Sequence, residues 1–274
     1  MTRLFLIILV VLFLFPLYWM IEGSLQDIRG IMLMPPRLIP HEPSLDNYRV
    51  IFGYASVGPM VANTFLISAA VIVLGAVVTM MGAYALAHHE FRGRKAVLWF
   101  AAASLIVPRA VMLLPLFIVT RNLGLSGTRW AAIIPHLYFP LGLLVATAYL
   151  RMIPRSLIES ARMDGAGELT IATEVIAPAA RPLVGVLALF LGLAAQGDFV
   201  WQMLQLRRES IQTLSVGLLK WVSSIASSDG NVVRVNPIGL HLAVGVVLFV
   251  PMVVVFVTCQ RQLRAGMTVG AVKE

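Results

Sequence analysis

Residues 154–182 read PRSLIESARMDGAGELTIATEVIAPAARP, a pattern of two short helices joined at a glycine turn. Ser156 followed by Glu159 has the spacing of a capping box, in which the hydroxyl takes a first-turn backbone N–H and the carboxylate reaches back. The first helix is therefore expected from Leu157. Asp164-Gly165 ends it, because glycine accepts the left-handed conformation that closes a helix. A second helix is expected over Glu168 to Ile176, stopped before Pro178. The pair is too polar to enter lipid. Leu157, Ile158 and Ala161 nevertheless form an apolar strip at helical spacing, and an exposed short helix with such a strip wants a groove to lie in. A hairpin lying on a membrane surface is the plainer alternative.

On either side the chain is apolar over lengths that suit a bilayer, where roughly 20 apolar residues cross about 30 Å of hydrocarbon. Six segments qualify: Leu4 to Ile21, Val61 to Ala87, Val97 to Val119, Trp130 to Leu150, Leu183 to Leu204 and Pro237 to Thr258. The first resembles a signal peptide in length, but it carries Pro16 and Trp19 and lacks a small-x-small cleavage site, so it is expected to be a retained span. Residues 22–60, with Pro35-Pro36, Pro40 and Pro43, suit an irregular extramembrane segment. Residues 205–236 are polar, with a helical patch over Ile211 to Val222 and then a Ser/Asp/Gly/Asn turn. The short turn carrying Arg92, Arg94 and Lys95 weighs most in the positive-inside rule. It favours cytoplasmic termini, with 151–182 and 261–274 inside and 22–60 and 205–236 outside.

Composition agrees. The 274 residues are 59% hydrophobic and 12% charged, with a mean hydropathy of +0.88, whereas a soluble domain carries about a quarter charged residues. Lipid must cover part of this surface. The net charge of +8 fits basic loops held against anionic lipid, and no basic stretch is interleaved with aromatics as a nucleic-acid surface would be. Cys259 is the only cysteine, which rules out an intrachain disulfide. No G-x-x-x-x-G-K-[ST] loop occurs, so the chain cannot cradle ATP by that route.

The residues Glu159-Ser160-Ala161, Asp164-Gly165-Ala166 and Pro178 resemble the EAA loop of ABC importer permeases. Phe15-Pro16-Leu17-Tyr18-Trp19, Pro43 to Tyr48, Gly82 to Ala87, Phe91-Arg92-Gly93-Arg94, Thr213 to Leu218 and the tail Gln260-Arg261 with Gly266 and Gly270 to Lys273 are similar to the carbohydrate-importer (MalG-like) branch. The resemblance runs through nearly the whole chain. It implies an all-α integral membrane protein with the six transmembrane helices of the type I ABC importer permease fold, a single domain over 1–274, in a bacterial cytoplasmic (inner) membrane. It further implies that the 154–182 loop docks on an ATPase. Glu159 and the Asp164-Gly165 turn would fix its shape, and Ala161 and Ala166 would permit close contact. Ser160 stands where alanine is usual, and Ala172 where an aromatic is common. The implied partners are a second homologous permease, an ATPase pair, an external solute-binding protein and a small-molecule solute, a sugar, oligosaccharide or polyol. The chain holds no cofactor of its own; ATP and Mg belong to the ATPase partner, and the chain is not itself an enzyme.

Polar residues inside spans are costly and mark candidate pathways. Arg109, beside Pro108, is either a donor to solute or a partner of a carboxylate such as Asp198. Asp198 lies in Gln196-Gly197-Asp198-Phe199-Val200-Trp201, where the family has Trp-Asn-Asp/Glu-Phe, and Trp201 is either a stacking face for a sugar ring or an interfacial aromatic. Asn63 and Ser68 suit helix–helix hydrogen bonds, with Asn63 kept as a pathway candidate, and Gly75 and Gly82 suit close-packing points on one face. His88-His89-Glu90 fit a solvated turn better than a metal site, and His136 and His241 are assigned no role. Two rival functions stay open. Arg109 would suit an anionic solute such as a glycerophosphodiester or uronic-acid sugar. An ion-coupled secondary transporter would need intramembrane carboxylates or an inverted repeat, and the spans offer few of the first and none of the second. A membrane enzyme lacks H-E-x-x-H, a Ser/His/Asp spacing or paired carboxylates.

Overall fold

The computed structural model describes residues 2–26, 38–39, 42–54, 56–227 and 237–270; the proline run at 35–36, Pro40, the expected turn at 228–236 and the last four tail residues lie outside them. Among the described residues the secondary structure is helical throughout. Helix α1, Thr2–Ser24, is apolar on every face, and none of its spanning window is buried. Such a helix belongs in lipid or against another chain. Helix α2, Asp46–Gly53, is an eight-residue helix in the segment expected to be irregular. The Ser44 hydroxyl accepts the Asp46 N–H at 3.0 Å, and Asp46 supplies the first-turn carboxylate that a helix N-terminus favours. Helix α3, Val57–His88, runs 32 residues unbroken and with α1 is long and apolar enough to cross a membrane as one rod.

The third, fourth and fifth expected spans are broken. The third, expected as one helix over Val97 to Val119, is instead α4, Arg94–Ser104, and α5, Arg109–Asn122, inclined at 113°. The cause is Pro108, which pushes the residue before it out of the helical region and lacks an N–H. The fourth is α6, Arg129–His136, and α7, Pro140–Leu150, bent by 43°. Then come α8, Arg155–Met163, and α9, Glu168–Ala179, which meets α10, Arg181–Gly197, at 86°. The fifth expected span ends α10 at Asp198 and resumes as α11, Phe199–Gln205. Helices α12, Leu214–Ser227, and α13, Pro237–Gly270, follow, the latter extending well beyond the expected end at Thr258.

The chain forms two compact units, Met1–Asn63 with Glu209–Pro251, and Thr64–Arg208 with Met252–Glu274. In the first, Ile51, Val57, Met60, Leu214, Leu218, Val222, Leu240, Ala243 and Val244 make the core. Here the two segments expected outside the membrane hold each other. Tyr54 stacks on Trp221 with ring centroids 4.5 Å apart and its hydroxyl donates to Glu209. Within the first segment, the Asn47 amide donates to the Ser24 carbonyl at 2.8 Å. In the second unit, α3 packs through its glycines. A Cβ on Gly75 would meet Leu191 at 2.9 Å and one on Gly82 would meet Leu143 at 3.2 Å, which are the close-packing points expected from their spacing.

Gly142 has the tightest surroundings in this unit, since an added Cβ would lie 2.2 Å from the Phe139 ring and 2.9 Å from Leu187. Gly142→Ala should destabilise the protein by about 1–3 kcal/mol through overpacking, read as a lower thermal-unfolding midpoint in detergent. Gly58→Ala, with open space around the new methyl, should lose nothing.

Candidate functional site

The expected hairpin is present, but its ends are built differently. Helix α8 starts at Arg155 with Pro154 in the N-cap position and no side-chain cap bond. Ser156 therefore lies inside the first turn, and the expected Ser156–Glu159 capping box does not form. Proline supplies the start instead, because its fixed φ suits the helix entry and its missing N–H would have been an orphan there. Glu159 is exposed and plays no shape-fixing part through a cap. The other end is as expected. Gly165 has φ +84°, its N–H bonds the Arg162 carbonyl and the Ala166 N–H bonds the Ala161 carbonyl, each at 3.0 Å. These two bonds are the Schellman closure, and only a residue tolerant of positive φ can occupy its corner.

The second arm departs from expectation in passing Pro178 without stopping. Residues Ile171–Ile176 take wider π turns and the helix continues through Ala177–Ala179. A proline ring conflicts with the carbonyl four residues back in an α-helix, and the π register just upstream loosens that contact. The expected apolar strip is split. Ile158 is buried with Ile171 and Ile176, and Ala161 is half-buried. Leu157, Met163 and Leu169 point outward, at 49%, 88% and 67% exposure. Buried isoleucines hold the hairpin to its own unit while its outer surface presents bare apolar side chains.

Glu168, the first residue of α9, gathers the polar contacts of the loop. Its Oε1 accepts Arg162 Nε at 3.0 Å and lies 2.7 Å from a second guanidinium nitrogen. Its Oε2 accepts the Tyr84 hydroxyl at 2.7 Å and lies 3.2 Å from His89 Nε2. The Tyr84 hydrogen bond, and then Arg162, hold the Glu168 carboxyl below the usual carboxylate range. A depressed carboxyl keeps its contribution at neutral pH and loses it only as acid takes the pH down through the lowered value. His89, expected only as part of a solvated turn, is one of these partners. Glu168 entered the sequence reading solely as a helix start, because its partners Arg162 and Tyr84 are six and 84 positions away.

A second cluster forms where helices break. Arg109 opens α5 just after Pro108, Asp198 joins α10 to α11, and His136 ends α6. Arg109 donates to Asp198 Oδ2 at 2.6 Å, so the pairing considered from sequence is made. His136 Nε2 lies 3.3 Å from the same oxygen, within ion-pair range but without hydrogen-bond geometry, and its Nδ1 is 3.5 Å from the Arg109 guanidinium. His136 was given no role by sequence reading. Asp198 at the N-cap of α11 sits where a helix dipole favours negative charge, and Arg109 at the start of α5 sits where positive charge is disfavoured; the pair offsets that cost.

The other two pathway candidates are packing residues. Trp201, expected as either a stacking face for solute or an interfacial aromatic, is 1% exposed and donates its indole N–H to the Ala131 carbonyl at 2.8 Å. Its ring faces protein because burying so large an aromatic outweighs presenting it. Asn63 is buried and donates to the Ser210 and Gln212 carbonyls at 3.0 and 3.1 Å, an anchor for the turn before α12.

Residues 78–268 match the family described as "Binding-protein-dependent transport system inner membrane component", and the chain belongs to that family. It is 30% identical to the arabinooligosaccharides transport system permease protein AraQ of Bacillus subtilis (strain 168) over 98% of this chain and 94% of AraQ. It is also 30% identical to the trehalose transport system permease protein SugB of Mycobacterium tuberculosis (strain CDC 1551 / Oshkosh), over 95% and 92%. Its fold matches a chain of a bacterial ABC transporter involved in the import of the acidic polysaccharide alginate, with a TM-score of 0.77 at 22% identity over 95% of this chain and 94% of that one. The protein is thus a membrane permease with the all-α fold of ABC importers, of the carbohydrate-importer type. The sequence reading of its class holds.

Two outcomes test the geometry. Ser156→Ala should leave thermal stability and transport at wild-type values, since no cap is lost. The Arg109–Asp198 pair should respond asymmetrically, because the Asp198 side chain is 8% exposed and that of Arg109 is 56% exposed. Arg109→Gln strands a buried carboxylate and should cost about 1–3 kcal/mol, more than Asp198→Asn, which leaves the more exposed partner of the pair. Thermal unfolding of the two variants reads the order directly.

Proposed function

We propose that this chain is one of two homologous permease subunits of an ABC importer for an oligosaccharide or related sugar, driven by a separate ATPase pair that engages the 154–182 loop. The single observation that carries the coupling is the closed elbow at Gly165 with Leu157, Met163 and Leu169 bare on its outer side. Apolar side chains on a polar extramembrane loop are a cost that a partner's groove removes. The contacts of Glu168 with Tyr84 and His89 put the loop on the same side as the basic turn at 88–96, which supports a cytoplasmic loop and cytoplasmic termini. In the other unit, the contacts of Tyr54 with Glu209 and Trp221 support a shared outer side for the 22–60 and 205–236 segments, where an external binding protein would deliver solute. Closure of the ATPases would move the elbow and rock the spans attached to it. Glu159, Ser160, Ala161, Asp164, Gly165, Ala166 and Pro178 make up the coupling segment, with ATP and Mg held by the partner. The sugar class follows from the relatives, which transport arabinooligosaccharides and trehalose.

A second reading of the solute is anionic. Arg109 keeps 56% of its side chain exposed while paired to Asp198, and a guanidinium is the side chain best suited to exchange one carboxylate for another. A solute carboxylate could take the place of Asp198 as its partner.

Gly165→Val tests the coupling, because a β-branched residue at positive φ is strained. The variant should insert and assemble normally but lose most uptake, measured as solute accumulation in vesicles alongside ATP hydrolysis; normal uptake would contradict the loop's role. Arg109→Ala separates the solute classes: selective loss of anionic-sugar uptake favours the anionic reading, and equal loss for neutral and anionic sugars leaves Arg109 a structural residue.

A further inference from the structure

The loop's apolar seat and its polar contacts do different things. Ile158, Ile171 and Ile176 are at most 3% exposed and hold the hairpin by burial, which is non-directional and tolerates sliding. The contacts at Glu168 are directional. One oxygen faces Arg162 in the last turn of α8, next to the elbow; the other faces Tyr84 and His89 at the end of α3, which runs 32 residues through the protein. We propose that Glu168 is the positioning residue that transmits motion from the elbow to α3, with the Tyr84 hydroxyl as the joint on the span side. This inference rests on the coupling role of the loop.

The two sides of the carboxylate make the linkage rigid in a way that either contact alone would not. The Arg162 fork fixes Oε1 relative to the elbow, and charge-assisted bonds are the shorter and stronger kind. With Oε1 held, Oε2 has little freedom, so a displacement of the elbow must pull or push the Tyr84 hydroxyl. Removing that hydroxyl leaves the Arg162–Glu168 contact, the Schellman closure and the buried isoleucines in place. The elbow then remains folded and able to receive the ATPase, but its movement reaches α3 only through the longer, partly exposed His89 contact.

The test uses the complete importer, permeases with ATPase pair and binding protein, in proteoliposomes. Tyr84→Phe and Glu168→Gln are each expected to lower the ratio of solute moved to ATP hydrolysed by about tenfold, with hydrolysis continuing. The double variant should be no worse than Glu168→Gln alone, because both act on one linkage. An unchanged ratio in Tyr84→Phe, additive losses in the double variant, or uptake and hydrolysis falling in step would each overturn the role of Glu168. Cross-linking of a Met163→Cys permease to the ATPase subunit separates this from the broader reading. A cross-link together with an unchanged ratio removes the Glu168 linkage alone, whereas no cross-link removes the docking of the loop and the linkage with it.

Discussion

The protein depends first on the requirement that backbone polar groups be satisfied within the segment when no water is present. That requirement makes every membrane-length stretch of this chain helical, and it makes each interruption informative. The interruptions at residues 105–108, 137–139 and 198 are each bounded by proline or glycine. Three of the helix ends they create carry Arg109, His136 and Asp198. Broken helices free backbone groups, and the polar side chains gathered at these ends pair with one another. The ion pair is thus a consequence of the breaks as much as a feature in its own right.

The same requirement is met within the loop at 154–182. Its Schellman closure satisfies carbonyls at the end of α8, and Arg162 and Glu168 find partners within the loop and at the end of α3. What stays unsatisfied is apolar surface. A fold that buries Ile158, Ile171 and Ile176 yet leaves Met163 and Leu169 outward has divided its hydrophobic residues between holding the loop and offering it.

Features set by local pattern were legible in the sequence. Hydropathy located the first two spans as single helices, Asp164-Gly165 located the elbow, and the seven-residue spacing of Gly75 and Gly82 located two close approaches. The misreadings came from competition between local signals. Ser156 and Glu159 have capping-box spacing, but Pro154 one turn-start earlier takes the N-cap position. Pro178 looks like a helix stop, but the π turns at Ile171–Ile176 carry the chain past it. Pro108 was visible, yet a continuous apolar run concealed a 113° bend. Trp201 could not be told from a solute-facing aromatic because its partner, the Ala131 carbonyl, is 70 positions away. His136 and Glu168 escaped notice for the same reason: their partners lie on other helices, and no periodicity within one segment encodes them.

The central claim is that the elbow faces the cytoplasm and is covered there by another protein. Its most direct test is thiol accessibility of a Leu169→Cys permease in which the single native cysteine, Cys259, has been replaced by serine. A membrane-impermeant reagent should label residue 169 only from the cytoplasmic side, and assembly with the ATPase pair should protect it. Labelling from the outer side, or labelling that assembly leaves unchanged, would contradict the account.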